Sequence, residues 1–336
     1  MTESVIHWPG KMSKTSSLRL LALLLGCFAA MPAAAQSPFP AKAIHMIVPL
    51  AAGSAVDNAM RIVAERMGQN MGQGIVIENQ PGAAGLIGAE RVAKAAADGY
   101  TIGGFNDSIM TMLPNLYATM PWDILRDFDP VSLVATVEWG LVTSNDAPYR
   151  SVADLIAAAK ANPRRIDYGS GGNGSPQHVA MELFASTAGI SLTHVPDKGA
   201  TQAAVGVAAG EVPVAFQGLA TVAGLVKGGK LRLIAVTTPQ RLPQFPDVPT
   251  VSESGLPGFE FNSWATIVVP AGTPKPVIER LNAEIVKALA SRDVQEKLIA
   301  QGLTPRGSSP EELRQATRRQ LSRYATLMKQ AGIKVE

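Results

Sequence analysis

Short apolar runs alternate with amphipathic stretches after residue 43. Residues 44–48 are mostly apolar and lead into Pro49 and Gly53, a pattern typical of a buried strand that ends in a loop. Over 59–67 apolar residues recur at helical spacing. The same order returns as a strand over 75–78, a turn at 81–82, a helix over 86–96 and a strand over 100–105. Such alternation predicts right-handed crossovers and a largely parallel sheet.

A second series of elements follows the Asp129-Pro130 pair. The pattern predicts, in order, a strand over 131–142, a helix over 151–161, a strand over 166–168, a glycine loop over 169–174, a helix over 177–189, and strands near 192–195, 212–216 and 231–237. A proline- and glycine-rich connection over 239–258 then leads to a strand over 263–269 and to helices over 274–290, 293–301 and 310–331.

The alternation of strands and helices predicts the α/β fold class. Two domains are expected, because the roughly 300 residues left after the predicted signal exceed what one hydrophobic core comfortably fills. We expect domain 1 to combine 36–138 with 255–336, and domain 2 to span 139–254. The chain would then cross between domains twice, near 138 and 260, and form a hinge. Ligands of open α/β sheets bind outside the carboxyl ends of the strands, which predicts a cleft between the domains.

The first 35 residues have the features of a cleaved secretory signal. A basic stretch with Lys11, Lys14 and Arg19 precedes an apolar run over 20–30, and small residues end at Ala35. The run of 11 residues is short against the roughly 20 that a spanning helix needs. We therefore expect export to the periplasm, with Met12 as an alternative start to Met1.

Removal of the signal changes both the thiol content and the charge. The single cysteine, Cys27, lies within the signal, where it is also an alternative site of lipid anchoring, and the mature chain has no thiol. The remaining chain has 27 basic and 26 acidic residues. Near-neutral charge gives no electrostatic reason to expect nucleic acid as a partner, and we expect a monomer.

The segment Gly169-Ser-Gly-Gly-Asn-Gly174 matches G-x-G-x-x-G, with Asp197 at a later strand end. The pattern alone indicates a dinucleotide site. Two other interpretations stay open. One is a plain glycine turn, and the other is an anion cradle in which unpaired N–H groups and a helix dipole hold a carboxylate. Export and Pro176 in the first helical turn favour the cradle.

The loop over 49–57 offers the same arrangement in the other domain. Gly53 allows close approach of the backbone, and Ser54 supplies a hydroxyl. Asp57 either binds a ligand amine or hydroxyl, or is a carboxylate that favours the helix start. His178 either contacts the ligand or is a buried, hydrogen-bonded structural histidine.

The sequence predicts no catalytic residue, no cofactor and no metal. His45, His178 and His194 lack the spacing of a metal motif. No serine stands in a G-x-S-x-G elbow, so the α/β-hydrolase interpretation lacks its nucleophile.

An ordered set of motifs through nearly all of the mature chain resembles the extracytoplasmic receptors of tripartite tricarboxylate transporters, the Bug family. The motifs are Ile47-Val-Pro-Leu-Ala-Ala-Gly53 with Asp57, Glu78-Asn-Gln-Pro-Gly-Ala-Ala-Gly85, Ala97-Asp-Gly-Tyr100, Tyr168-Gly-Ser-Gly-Gly-Asn-Gly174 with His178, His194-Val-Pro196 with Lys198-Gly199, Pro246-Asp-Val-Pro-Thr250, Gly255-Leu-Pro-Gly-Phe259 and Val269-Pro-Ala-Gly-Thr-Pro274.

The resemblance implies a type II periplasmic binding fold that captures a small organic acid or amino acid and delivers it to inner-membrane permease subunits. It places ligand contacts at Ala52, Gly53, Ser54, Asp57, Ser170, Gly172, Asn173, Gly174, Ser175 and His178. Asn106, Asp107, Asp197 and Gln217 complete the candidate set.

Several positions depart from the family pattern. Ser54 replaces a usual glycine, Asp197 a usual tyrosine, and Gln217 a frequent acid or glycine. Near the first crossing, Glu138-Trp139 stands where the family often has proline or a neutral polar residue. We expect Asp107, Glu138 and Asp197 to add negative charge around the cleft, which would repel a polycarboxylate. This predicts a monocarboxylate, amino-acid-like or aromatic ligand, with Trp139 either stacked on a ring or packed in the hinge.

Three functional classes follow from these patterns. The first is a receptor that delivers its ligand to a permease. The second is a bilobed sensor that docks on a signalling partner, and the third is an exported enzyme that uses the glycine loop with a dinucleotide. A thermal shift on binding, with the ligand unchanged after incubation, would argue against the enzyme.

Overall fold

The computed structural model describes residues 1–4 and 39–333. Most of the predicted signal, including Met12, Cys27 and the site after Ala35, lies outside these residues. Within them, no helix is both long and apolar enough to cross a bilayer.

The elements follow one another as strands, helices and two short turns. In chain order they are β1 (Ile44–Val48), α1 (Ala55–Met71), β2 (Ile75–Asn79), a 3-10 turn (Ala83–Gly85), α2 (Leu86–Ala93), β3 (Thr101–Asn106), a π-helical turn (Ser108–Met112), α3 (Leu113–Leu116), β4 (Phe128–Val137), β5 (Trp139–Ser144), α4 (Val152–Ala161), β6 (Asp167–Ser170), α5 (Pro176–Ala188), β7 (Thr193–Pro196), α6 (Ala200–Ala208), β8 (Val214–Gly218), α7 (Leu219–Lys227), β9 (Leu231–Val236), β10 (Ser263–Pro270), α8 (Lys275–Leu289), α9 (Arg292–Ala300), β11 (Leu303–Pro305) and α10 (Pro310–Ala331).

Two sheets form the framework, which confirms the predicted α/β class. The first has the strand order β11-β4-β10-β3-β1-β2, and the second has the order β7-β6-β8-β5-β9. We call the part built on the first sheet lobe 1 and the part built on the second lobe 2. Buried apolar side chains from the sheets and from helices such as α1 and α5 form the core.

The predicted parallel arrangement is confirmed for β1, β2 and β3, the strands from which it was inferred, but the first sheet as a whole is mixed. β1 pairs in parallel with β2 and β3, whereas β10 runs antiparallel to both β3 and β4, and β11 antiparallel to β4. The cause is the long excursion of the chain through lobe 2. β10 returns from that lobe and inserts between β3 and β4 in the opposite direction.

The strand predicted over 131–142 is two strands in different sheets. β4 ends at Val137 in the first sheet, β5 begins at Trp139 in the second, and Glu138 lies between them. The sequence did not indicate this crossing, because both strands are buried along most of their length and apolar residues flank Glu138 on both sides. Helices α6 and α7 were also missed by the sequence prediction.

The segment around residues 259–261, which the predicted boundary at 254/255 assigns to domain 1, contacts lobe 2. The ring of Phe259 packs edge-on against Phe184 and stacks on Phe216, both in lobe 2. The N–H of Phe261 donates to the carbonyl of Thr237 at 3.2 Å. We therefore propose that domain 2 extends from 139 to about 261 and that domain 1 resumes with β10.

Candidate functional site

A cavity lies between the two lobes, and we call it the inner chamber. Its empty space amounts to about 600 Å³ when the solvent at its mouth is included. Lobe 1 lines it with Pro49, Leu50, Ala51, Ser54, Ala55, Val56, Pro81, Gly82, Ala84, Gly85, Asn106, Val137 and Ser263, and lobe 2 with Trp139, Gly171, Ser175, Pro176, Gln177, Lys198, Gly199, Ala200, Gly218 and Thr221. Most of these residues stand at the ends of strands or the starts of helices.

The start of α1 forms the lobe 1 side of the chamber. Ser54 is the N-cap residue, and its hydroxyl accepts the N–H of Asp57. The carboxylate of Asp57 accepts the N–H of Gly53 at 2.8 Å and is also bonded by Arg61 and Asn79. These contacts fix the loop and occupy the carboxylate of Asp57, which is not among the residues that line the chamber.

The start of α5 repeats this arrangement on the lobe 2 side. Ser175 is the N-cap residue, and its hydroxyl accepts the N–H of His178. Nδ1 of His178 accepts the N–H of Gly174 at 3.1 Å. In both loops, therefore, a glycine precedes the N-cap serine, and a side chain four residues after that glycine receives its N–H.

In each of the two helices, the N–H of the residue two positions after the N-cap serine has no hydrogen-bond partner among the described residues. The N–H groups of Val56 and Gln177 donate to no group in the described part of the chain. Both residues are buried and line the inner chamber. Because each N–H lies at the positive end of a helix dipole, each can donate to an anion.

Two further helix starts reach the chamber, and the sequence prediction missed both. α6 begins at Ala200 after Gly199, and α7 begins at Leu219 after Gly218. The signal that could have found α6 is Lys198-Gly199 after the short strand β7, because a glycine between a strand and a small-residue run is typical of a helix start. These helices add positive dipole ends to the lobe 2 wall.

The remaining wall of the chamber is mainly apolar. Leu50 and Val137 from lobe 1 face it together with Trp139. The Trp139 ring packs edge-on against Phe261, and its Nε1–H donates to the hydroxyl of Ser263 at 2.9 Å. Trp139 therefore packs in the hinge, which is one of the two alternatives considered from the sequence, and it also lines the cleft. Stacking on a ligand ring stays a prediction.

Charge around the inner chamber differs from the expectation. Among the described residues that line it, the only charged side chain is Lys198. Asp107 is fully buried beside the cleft, and the carboxylate of Glu138 accepts the hydroxyl of Thr304 at 2.7 Å. The expected negative charge is therefore absent from the inner chamber, which none of Asp107, Glu138 and Asp197 lines, whereas Asp197 lines an adjoining space between the lobes.

The candidate residues divide into three groups by position. Ser54, Asn106 and Ser175 line the inner chamber. Gly172, Asn173 and Asp197 line an adjoining outer space. The others line neither space, and several of them hold the loops in place. They are Ala52, Gly53, Asp57, Asp107, Ser170, Gly174, His178 and Gln217.

His178 and His194 support the glycine loop as a stacked pair. Their ring centroids are 4.2 Å apart and nearly parallel, at 5°. His178 fixes Gly174, while Nε2 of His194 lies 2.5 Å from the hydroxyl of Ser170. Burial lowers the pKa of each imidazole to about 4, and His178 also lowers that of His194. Both rings are therefore neutral at pH 7.

The depressed pKa values predict acid sensitivity of the fold. In the unfolded chain the two imidazoles take up protons below their ordinary pKa of 6.5, whereas in the native protein they stay neutral until the pH falls to about 4. Native stability is thus full above pH 6.5 and falls as the pH drops toward 4, by about 2 kcal/mol after allowance for solvent screening. His178→Asn keeps an acceptor for the Gly174 N–H but cannot take up a proton. In urea unfolding, its stability relative to wild type should improve between pH 7 and pH 4.5, and an unchanged difference would contradict the assignment.

Hydrogen bonds between the lobes hold the structure closed. The N–H of Ala55 donates to Oγ1 of Thr221 at 2.9 Å, and the side chain of Asn58 donates to the carbonyl of Ala220 at 2.8 Å. On the opposite side, the hydroxyl of Ser108 donates to the carbonyl of Gly174 at 2.7 Å. These bonds form only when the lobes meet.

Thr221→Val tests the contribution of one such bond. Valine keeps the shape of threonine but gives Ala55 no acceptor in the closed form, whereas water satisfies that N–H when the lobes are open. We expect about a threefold to tenfold loss of ligand affinity with little change in unfolding free energy. Titration calorimetry and urea unfolding measure the two quantities. Equal affinity of variant and wild type would show that the bond does not contribute to closure.

A family model described as the tripartite tricarboxylate transporter family receptor, TctC, matches residues 59–333. The chain belongs to the TctC receptor family. A relative from a Pseudomonas strain, named for the tcbD-tcbE intergenic region, is 38% identical over 86% of both chains. Protein BugT of Bordetella pertussis is 32% identical over 97% of this chain and 100% of its own. The resemblance drawn from the motifs is thereby confirmed.

Solved structures of the TctC type share the architecture. The R. palustris protein Rpa4515, solved with adipate, has a TM-score of 0.86 at 35% identity and covers 88% of this chain and 99% of its own. The periplasmic binding protein BugD has a TM-score of 0.85 at 31% identity, over 89% of this chain and 100% of its own. MatC from Rhodopseudomonas palustris, solved with malate, has a TM-score of 0.82 at 28% identity, over 86% and 99%. The expected periplasmic binding fold is confirmed, and this TctC receptor is a solute-binding protein.

Proposed function

We propose that this receptor is exported to the periplasm, closes its two lobes around a small organic acid, and presents the closed form to the inner-membrane permease of a tripartite tricarboxylate-type transporter. The proposal is supported by membership of the TctC receptor family and by a chamber that residues of both lobes line. Family membership does not specify the ligand or the permease, and both are proposed.

The observation that carries the proposal is the pair of unpartnered N–H groups at Val56 and Gln177, one from each lobe. A carboxylate accepts several hydrogen bonds at once, so its two oxygens suit donors from both lobes. Charge-assisted bonds contribute roughly 1.5–3 kcal/mol each. Two such bonds, the helix dipoles and apolar burial together reach about −8 kcal/mol, the free energy of micromolar binding, in gross terms before the ordering cost.

The walls of the chamber narrow the class of ligand. Leu50, Val137 and Trp139 favour an aliphatic or aromatic body over a polyhydroxylated one. No carboxylate among the described residues lines the inner chamber, so a second carboxylate on the ligand would meet no acidic side chain there. We propose an acid with an apolar body and one carboxylate bound at the helix starts. Adipate, which is bound in Rpa4515, is compatible with this description.

A matched pair of ligands tests the proposal. Hexanoate and hexanamide have the same shape, but only hexanoate is an anion. We expect hexanoate to bind the refolded, ligand-free chain at least tenfold more tightly in titration calorimetry, since the N–H donors and dipoles favour negative charge. Benzoate, adipate and malate extend the panel. Equal binding of acid and amide, or binding of no acid, would overturn the proposed function.

A further inference from the structure

The space between the lobes continues beyond the inner chamber. A second cavity, which we call the outer chamber, has about 920 Å³ of empty space when open solvent is included. Pro81, Gly82 and Ala84 of lobe 1, and Gly171 and Lys198 of lobe 2, line both chambers. A molecule anchored by its carboxylate in the inner chamber can therefore extend past these residues into the outer one.

The passage between the chambers is bordered by small residues in an unusual backbone conformation. Gly82, Ala83, Ala84 and Gly85 have φ values of 133°, 46°, 53° and 106°, all left-handed. Alanine adopts such angles only at a cost, and strained backbone of this kind clusters at ligand sites. As a result, the residues that line both chambers here are small, namely Gly82 and Ala84 from lobe 1 and Gly171 from lobe 2.

The outer chamber has different chemistry from the inner one. Tyr117, Asn173, Asp197 and Lys198 line it, so it contains a carboxylate that the inner chamber lacks. Asp197 is held in place because its N–H donates to the carbonyl of Ser170 at 2.9 Å and its Oδ1 accepts the N–H of Lys198 at 2.7 Å. Within residues 39–333, no cationic side chain forms an ion pair with it.

We propose that the outer chamber is a second subsite that receives the far end of an elongated acid, and that Asp197 selects an end that carries an ammonium group. The ligand class is then a dipolar acid, such as an ω-amino acid. Its carboxylate lies at the starts of α1 and α5, its methylene chain passes Ala84 and Gly171, and its amine donates to Asp197. This inference rests on the proposed function, because it places the carboxylate in the inner chamber.

A cycle of ligands and variants tests the subsite. Calorimetry compares 4-aminobutanoate, 6-aminohexanoate and 8-aminooctanoate with butanoate, hexanoate and octanoate, on wild type and on Asp197→Asn. At the chain length that reaches Asp197, the variant should lose about threefold to fivefold in affinity for the amino acid, the size expected for a partly exposed ion pair, and nothing for the plain acid. Asp197→Lys should shift the preference from 6-aminohexanoate toward adipate.

Asp146→Asn is the matched control, because Asp146 is an exposed acid of lobe 2 and its loss changes the net charge equally. The Asp146→Asn variant should bind both the amino acids and the plain acids with the affinity of wild type. Equal effects of Asp197→Asn on amino and plain acids at every length would overturn the subsite, while continued binding of the plain acids would leave the proposed function standing. If neither series bound wild type, both would fall.

Discussion

Replacing Asp107 by asparagine should stabilise the protein at pH 8. The carboxyl group is fully buried, and neither of its oxygens has a hydrogen-bond partner among the described residues. Burial raises its pKa from 3.8 to about 8, and the nearby backbone N–H groups of Trp264 and Ser108 offset this only in part. The unfolded chain loses this proton near pH 4, whereas the native state keeps it until about 8. Native stability therefore falls as the pH rises between those values, and asparagine removes the loss.

The expected gain from Asp107→Asn is on the order of 3–5 kcal/mol at pH 8 and should vanish near pH 4. Urea unfolding of variant and wild type at both pH values measures it, and the comparison cancels the opposite trend from the histidine pair. Asp146→Asn, which removes an exposed acid, should change stability by less than about 0.5 kcal/mol. A variant less stable than wild type at pH 8 would mean that the native carboxylate is charged and paired.

Gly199→Ala should weaken ligand binding without unfolding the protein. The φ of Gly199 is 172°, an extended angle that alanine adopts without strain. A Cβ at this position would lie 2.8 Å from Cβ of Ala51 in lobe 1 and 2.9 Å from Oε1 of Gln202. The flexible glutamine can move, but Ala51 is displaced only by parting the lobes. Overpacking of this kind costs about 1–3 kcal/mol, so we expect roughly a tenfold to hundredfold loss of affinity.

Gly224→Ala provides the control for Gly199→Ala. Gly224 lies within α7, and no atom stands within 4 Å of the Cβ that the substitution adds. Alanine should raise helix stability there by up to about 1 kcal/mol and leave affinity unchanged. Calorimetry with hexanoate and urea unfolding apply to both variants. Unaltered affinity in Gly199→Ala would show that Ala51 and Gly199 do not approach each other when ligand is bound.

Local patterns predicted the strands and helices of lobe 1 well, and long-range topology poorly. Residues 44–48 and 310–331 were predicted with the bounds that the structure shows. The direction of β10 depends on a route through lobe 2 that no local pattern encodes. The break at Glu138 was missed for a related reason, since both flanking strands are buried and neither shows alternation.

The sequence predicted two helix starts that line the chamber, but not which groups in those loops are already hydrogen-bonded. Glycines before Ser54 and Ser175 correctly indicated two helix starts that face the same chamber. Asp57 and His178, in contrast, bond the loops themselves, and the groups left for a ligand are N–H groups of Val56 and Gln177. Side-chain chemistry does not reveal such donors, because any residue at those positions carries the same N–H.

The most direct test of the central claim is a crystal structure of the chain with hexanoate bound. We expect the carboxylate between the lobes, with its oxygens within hydrogen-bond distance of the N–H groups of Val56 and Gln177. The methylene chain should extend toward Trp139 or the outer chamber. A carboxylate bound instead by Lys198 at the mouth, with the methyl end at the helix starts, would contradict this claim.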